Sequence, residues 1–357
     1  MLPEEYPPAI RGLVPKRFKL SLVKALFASG TVVAQPTSEG ATLRPKTLMP
    51  IRRILCPTDL TAESDEALRY ALALARTYDA KLIAFHCERA GGESELAQSE
   101  VKTLFEQALF RYLGPAELAA IDWQRVVEQG NDPGSAISEY AAEHGVDLIV
   151  MRSRRRPHRA ALLGSTAEAV CRSAPCPVLV MHSDQRDWVD DASHKITVQR
   201  VLVAYDFSDY SELALKQGLC FAQEYQAELH LLHVLPPSSL DDSEISWYPL
   251  GKEDAYHKSA RRLQKAVPAE AHLWCTIKHS VCEGQAYREI LNYAEKNEID
   301  LICIGAHGAG FASRALFGSN VDRVLRQAPC PVLVTRPLKP TNTLLPRAPE
   351  ARAAAAL

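Results

Sequence analysis

The residues best suited to chemistry in this chain are glycines. Gly305 and Gly308 follow an apolar run, and after nine further residues Gly318-Ser319-Asn320 opens a segment where Val321, Val324 and Leu325 recur at helical spacing. Glycine tolerates positive φ and has no Cβ, so backbone N–H groups at such positions can approach a ligand closely. The first N–H groups of a helix lack internal acceptors and share its positive end. Together they suit a phosphate. Ser319 adds a hydroxyl, and Ser319 or Asn320 could also serve as the helix N-cap. No catalytic constellation accompanies them: the chain has no G-x-x-x-x-G-K-[ST], no H-E-x-x-H and no G-x-S-x-G, and no nucleophile whose spacing supplies an adjacent base. "AYDFSDYS" is not the serine- and glycine-rich loop that an ATP-pyrophosphatase would need after its first strand.

The same segment occurs earlier with different chemistry. Arg152 stands in the place of Gly305, Arg155 in that of Gly308, and one residue is missing before Gly164-Ser165. Arginine cannot offer the same backbone approach, and positive φ costs it about 1 kcal/mol relative to glycine. Arg152, Arg154, Arg155, Arg156 and Arg159, with His158, make a cationic loop. Two readings stand. The phosphate site is lost, and the arginines are solvated or paired with carboxylates of the other half. Alternatively, Arg152, Arg154 and Arg155 with Gly164 and Ser165 form an anion site that holds a phosphorylated ligand or acidic partner through side chains. No aromatic residue is interleaved, so nucleic acid is not an expected partner.

The two loops belong to a duplication. "APCPVLV" begins at Ala174 and again at Ala328, a separation of 154, and "ILCPTDL" at Ile54 matches "VLVAYDF" at Val201, a separation of 147. A period this long means repeated domains rather than a solenoid. Within the first copy, strand-length apolar runs (Ile54–Thr58, Leu82–Cys87, Val126–Glu128, Leu148–Met151, Val178–Met181) alternate with helical spacing such as Ala67, Leu68, Ala71, Leu72 and Ala75. Strands apolar on both faces and joined by helices imply a parallel sheet with right-handed crossovers. In such sheets ligands bind beyond the carboxyl ends of the strands, where strand order reverses.

The expected organisation is an N-terminal extension over 1–50, poorly ordered or docked, a first domain over 51–183, a linker over 184–196, a second domain over 197–336 and a tail over 337–357. The linker is polar and charged, and the tail is rich in proline and alanine and expected to be mostly disordered. "KRFKLSLVKALFASGTVVAQ" in the extension has a basic start and an apolar stretch, but Lys24 interrupts it, which argues against a secretory signal. No apolar run reaches the roughly 18 residues of a membrane span. A net charge of -2 gives no overall attraction to nucleic acid or anionic membrane, so any anion site must be local. Nine cysteines without a C-x-x-C pair read as reduced thiols of a cytoplasmic protein, not as a zinc site.

The order strand-"DFS", strand-"LLHV", strand-"GAHG", nine residues, "GSN", then "APCPVLV" resembles the universal stress protein family, twice over nearly all of 51–336. The resemblance implies a tandem protein of two doubly wound, parallel five-stranded α/β sheets, Rossmann-like and nucleotide-binding α-hydrolase-like, related by a pseudo-two-fold. It implies ATP in the second copy. Ala204 and Asp206 would lie by ribose and adenine, and Val234 by the base. Gly305, His307 and Gly308 would wrap the phosphates, and Gly318, Ser319 and Asn320 would complete the cradle. Asp206 could instead cap the following helix, and His233 reads as a structural strand-end histidine. Mg or Mn could accompany ATP, although no metal site is specified by the sequence. Domains of this family usually dimerise through the last strand, so Val178–Met181 and Val332–Thr335 are expected to pair within the chain, with further homodimerisation left open. The implied role is that of a cytoplasmic stress-response protein with ATP as regulatory ligand for an unknown protein partner, and not an enzyme. A nucleotide-independent scaffold and a slow ATPase are the alternatives.

Overall fold

The computed structural model describes residues 51–88, 98–153, 164–182, 185–190, 195–237, 252–308 and 318–336. The N-terminal extension and the tail therefore lie outside the described residues, as do Arg154, Arg155, Arg156, His158 and Arg159.

The first half runs β1 (Arg53–Pro57), α1 (Asp65–Tyr78), β2 (Lys81–Glu88), α2 (Gln98–Phe110), α3 (Pro115–Ala119), β3 (Trp123–Gln129), α4 (Pro133–Glu143), β4 (Leu148–Arg152), α5 (Ser165–Ser173) and β5 (Val178–Met181). The second repeats it as β6 (Arg200–Ala204), α6 (Asp209–Tyr225), β7 (Glu228–Leu235), α7 (Lys252–Ala266), a 3-10 turn (Ala269–Leu273), β8 (Ile277–Glu283), α8 (Ala286–Lys296), β9 (Leu301–Gly305), α9 (Ser319–Gln327) and β10 (Val332–Thr335). β3 extends three residues earlier than the apolar run at Val126 indicates. It is the edge strand, and its outward positions, such as Arg125, are polar or exposed, which hides the strand from a search for continuous hydrophobicity.

All ten strands form one sheet in the order β3-β2-β1-β4-β5-β10-β9-β6-β7-β8. Pairing is parallel within each half. The halves join where β5 and β10 run antiparallel, with Val332 opposite Val180, Leu333 opposite Leu179 and Val334 opposite Val178. An apolar last strand left as an edge would invite aggregation, and each covers the other. The reversal of strand order falls between β1 and β4 in the first half and between β6 and β9 in the second.

The same local chemistry fixes both halves. Asp147 Oδ2 accepts the N–H groups of Arg52 and Arg53 at 2.8 and 2.9 Å, and Asp300 Oδ2 accepts those of Gln199 and Arg200, both at 2.8 Å. Each carboxylate satisfies the free amides where a central strand begins. Helices cover both faces. α1, α2, α6 and α7 bury Leu72, Leu109, Leu215 and Leu263 on one face, while α4, α5, α8 and α9 bury Ile137, Val170, Ile290 and Val324 on the other.

The described residues of the polar segment between the halves, 185–190 and 195–197, are fastened to both. Trp188 is 1% exposed and meets the Tyr70 ring edge-on at 4.5 Å. Asp187 accepts from Tyr70 Oη at 2.7 Å and pairs with Arg69, whose Nη1 donates to Val189 O at 2.8 Å. Arg186 N donates to Pro329 O at 2.7 Å, so the segment is fastened to both halves. None of the nine cysteines is disulfide-bonded, and burial pushes those of the core, such as Cys56 and Cys303, well above the usual thiol range.

Candidate functional site

The second half's crevice opens at its switch point. β6 delivers Ala204, Tyr205 and Asp206, after which Phe207 takes a left-handed conformation with φ 64°. That conformation is costly for a non-glycine residue, and the matching Leu60 adopts it too, with φ 61°. The turn swings the chain into α6 and aims Asp206 at the strand tips. Asp206 Oδ1 accepts from Ser208 N at 3.1 Å and from Ser208 Oγ at 2.5 Å. Ser208 is itself the N-cap of α6, accepting from Ser211 N at 3.2 Å. Asp206 thus supports the cap without being the cap.

β9 ends at Gly305, and the glycines there are demanded by contact. A Cβ on Gly305 would stand 2.7 Å from Tyr210 Cβ and 2.9 Å from Tyr210 O, and one on Gly308 would stand 2.8 Å from Asp206 Oδ2. Between them His307 is 4% exposed and meets the Tyr210 ring edge-on at 5.0 Å. Burial, and then the Arg336 guanidinium, hold its imidazole below the ordinary range. Gly318 is the N-cap of α9 with φ -61° and ψ 129°, without a side-chain cap, so neither Ser319 nor Asn320 caps the helix. They are its first two residues, exposed at its positive end.

These residues enclose a cavity of about 320 Å³, lined by all nine positions singled out in the sequence: Ala204, Asp206, Val234, Gly305, His307, Gly308, Gly318, Ser319 and Asn320. Leu232, Ile290, Ile304 and Val321 add an apolar floor, and Tyr205, Ser211 and Ala286 complete the lining. Sequence reasoning missed these. The floor residues are strand and helix positions indistinguishable from core until the crevice is located, and only Leu232, two residues before Val234, and Ile304, just before Gly305, carry a usable signal. His233 does not line this cavity. Its Nδ1 lies 2.8 Å from Tyr205 O, as that of His86 lies 2.9 Å from Thr58 O, so both histidines tie neighbouring strand tips together.

The first half has a crevice of about 280 Å³ at the corresponding place, lined by Asp59, Cys87, Arg152, Gly164 and Ser165 among others. The arginine does not reach across to the other half. Arg152 Nη1 donates to Glu63 O at 2.5 Å, and the guanidinium pairs with Glu66 at 3.5 Å and with Glu63 at 3.8 Å, all within its own half. Glu63 is the repeat partner of Tyr210, the residue against which Gly305 packs. The two helices also differ at their starts: α6 begins at Asp209, the partner of Ala62, while α1 begins at Asp65. Arg154 and Arg155, the other arginines of the expected anion site, lie outside the described residues. No cluster of three metal-ligating side chains occurs among the described residues.

Strand order and crevices define a duplicated, doubly wound α/β protein with a ligand-sized hollow at each switch point. The universal stress protein family model matches residues 50–182 and again 197–336, and the chain belongs to that family. A universal stress protein of Mycolicibacterium smegmatis is 26% identical over 314 residues, covering 80% of this chain and 97% of the relative. One from Methanocaldococcus jannaschii is 31% identical over 141 residues, 39% of this chain and 82% of the relative. The crystal structure of a universal stress protein from Archaeoglobus fulgidus shares the fold, with a TM-score of 0.59 at 22% identity over 83% of this chain and 99% of that one. No helix among the described residues is long and apolar enough to cross a membrane.

Proposed function

We propose that the second half binds ATP as a regulatory ligand and that the first half is a divergent companion lacking the same phosphate cradle. The observation that carries this is the contact at Gly308, where a Cβ would fall 2.8 Å from Asp206 Oδ2. A side chain there would fill the space in which loop backbone and carboxylate face each other across the cavity. Glycine keeps it open for a ligand that touches both. The free N–H groups at the start of α9 and the loop amides suit phosphates. Asp206 suits ribose hydroxyls, and Val234 with the apolar floor suits a base. Mg or Mn would arrive with the phosphates, whose oxygens supply hard ligands.

ATP so held acts by linkage in a cytoplasmic stress-response protein. Ligand present at 100 times its Kd stabilises the binding conformation by about 2.7 kcal/mol, and a protein partner that prefers that conformation is favoured with it. The test is to denature the purified chain and identify what it releases. About one equivalent of ATP or ADP per chain is expected. A chain that releases none, and takes up none when ATP is supplied, overturns the reading.

A further inference from the structure

Tyr210, the second residue of α6, ties the crevice loop to β10, the strand at the seam between the halves. Its backbone packs on Gly305, where a Cβ would stand 2.7 Å from Tyr210 Cβ, 2.8 Å from its carbonyl carbon and 2.9 Å from its O. That O accepts from Thr335 Oγ1 at 3.4 Å, and Thr335 is the β10 residue opposite Gly305. So anchored, Tyr210 presents its ring to His307, edge-on at 5.0 Å, and His307 is 4% exposed. His307 in turn abuts the start of α9: Gly318 N donates to Ala306 O at 3.3 Å, and a Cβ on Gly318 would stand 3.7 Å from His307 Cα. The first N–H groups of a helix and its positive end favour an anion there. Tyr210 does not line the cavity, whereas His307, Gly318 and Ser319 do. The first half has neither ring. Glu63 stands in place of Tyr210 and Arg154 in place of His307, and Glu63 is engaged by Arg152 instead.

We infer that Tyr210 is a positioning residue: by holding His307 against the start of α9, it sets how closely the second crevice grips the anionic end of its ligand. This rests on the reading of that crevice as a nucleotide site and assigns part of its preference for phosphorylated over unphosphorylated nucleoside to a residue outside the cavity wall. The ring does this work, since its edge is what meets the imidazole.

The experiment compares ATP and adenosine binding to the full chain by calorimetry, for wild type, Tyr210→Leu, Tyr210→Phe, His307→Ala and the double variant Tyr210→Leu with His307→Ala. In the leucine variant ATP affinity is expected to fall about fivefold, the size of one aromatic contact, with adenosine affinity unchanged. Tyr210→Phe keeps the ring and should restore ATP affinity. Once His307 is alanine, the leucine change should cost ATP nothing further, which a merely structural role would not produce. Should the leucine chain not fold, Tyr210→Met takes its place in the comparison. Losses that simply add in the double variant, equal losses for ATP and adenosine, no loss with leucine, or a phenylalanine chain as weak as the leucine one overturn the role of Tyr210 while leaving the nucleotide site standing. A wild-type chain that binds neither compound overturns the site itself, and the role of Tyr210 with it.

Discussion

The hydroxyl of Tyr225 donates to that of Tyr78 at 3.2 Å, and the two tyrosines are the same residue of the two repeats. Each ends its helix, α1 or α6, and each is followed by a left-handed C-cap, Asp79 or Gln226. Burial pushes both phenols far above their usual range, Tyr225 adding to the effect on Tyr78, so neither ionises in the working pH range. The pair marks where the pseudo-two-fold crosses the helical layer, as β5 and β10 mark it in the sheet. Because it is part-buried and neutral, its hydrogen bond contributes about 0.5–1.5 kcal/mol. A double-mutant cycle of Tyr78→Phe and Tyr225→Phe in urea should give a coupling of that size. Strict additivity would show that the hydroxyls are held by other groups.

Gly305 and Gly308 should respond differently to alanine. At 305 the new Cβ meets Tyr210 backbone at 2.8–2.9 Å, so α6 must move, at a cost to folding of about 1–3 kcal/mol. At 308 it meets only the far end of the Asp206 side chain at 2.8 Å, an oxygen that can turn aside without moving backbone. Gly308→Ala should therefore leave the melting temperature nearly unchanged while weakening ATP retention, and Gly308→Arg should abolish retention. Thermal melts alongside nucleotide release separate the two effects.

Gly305, Gly308 and the helix start at Gly318 were legible because their chemistry is that of the backbone, while Ala204, Asp206, Val234 and His307 followed only from the family resemblance. Close approach demands glycine, helix starts demand free amides, and strand ends fix where both must be. What was not legible depends on which side chain fills the space across the turn. The sequence shows Arg152 replacing Gly305, yet its pairing with Glu63 and Glu66, about ninety residues earlier, depends on where the turn into α1 places those carboxylates, which no local propensity announces. Trp188 was hidden among charges.

Acid should weaken the fold through its buried histidines. His230 is 1% exposed, with Nδ1 3.0 Å from Tyr293 Oη and Nε2 3.1 Å from Glu228, and burial outweighs that carboxylate to hold its pKa below the ordinary 6.5. Burial lowers His233 and His279 as well. Below pH 6.5 the unfolded chain takes up protons that the folded chain refuses, so stability falls with pH until the folded-state values are reached. Each such proton contributes a slope of up to about 1.4 kcal/mol per pH unit. Urea midpoints between pH 7.5 and 5 should show the decline, and His230→Gln should make it shallower. A profile with the same slope in both chains would rule out His230 as a contributor.

Trp188 tests whether the segment between the halves holds the molecule together or merely connects it. Its ring is enclosed against Tyr70, and its carbonyl accepts from Thr197 N at 2.8 Å and from Thr197 Oγ1 at 3.1 Å. The backbone bonds survive any substitution, so a mutation reports on the ring alone. Trp188→Ala leaves a cavity in a core that both halves share, and should cost about 3–5 kcal/mol. The indole N–H has no hydrogen-bond partner among the described residues, so Trp188→Phe forfeits no such bond and should cost about 1.5 kcal/mol or less. Since one sheet runs through both halves, the loss should lower a single unfolding transition monitored by circular dichroism. An alanine variant as stable as wild type would mean that the paired strands alone carry the union of the halves.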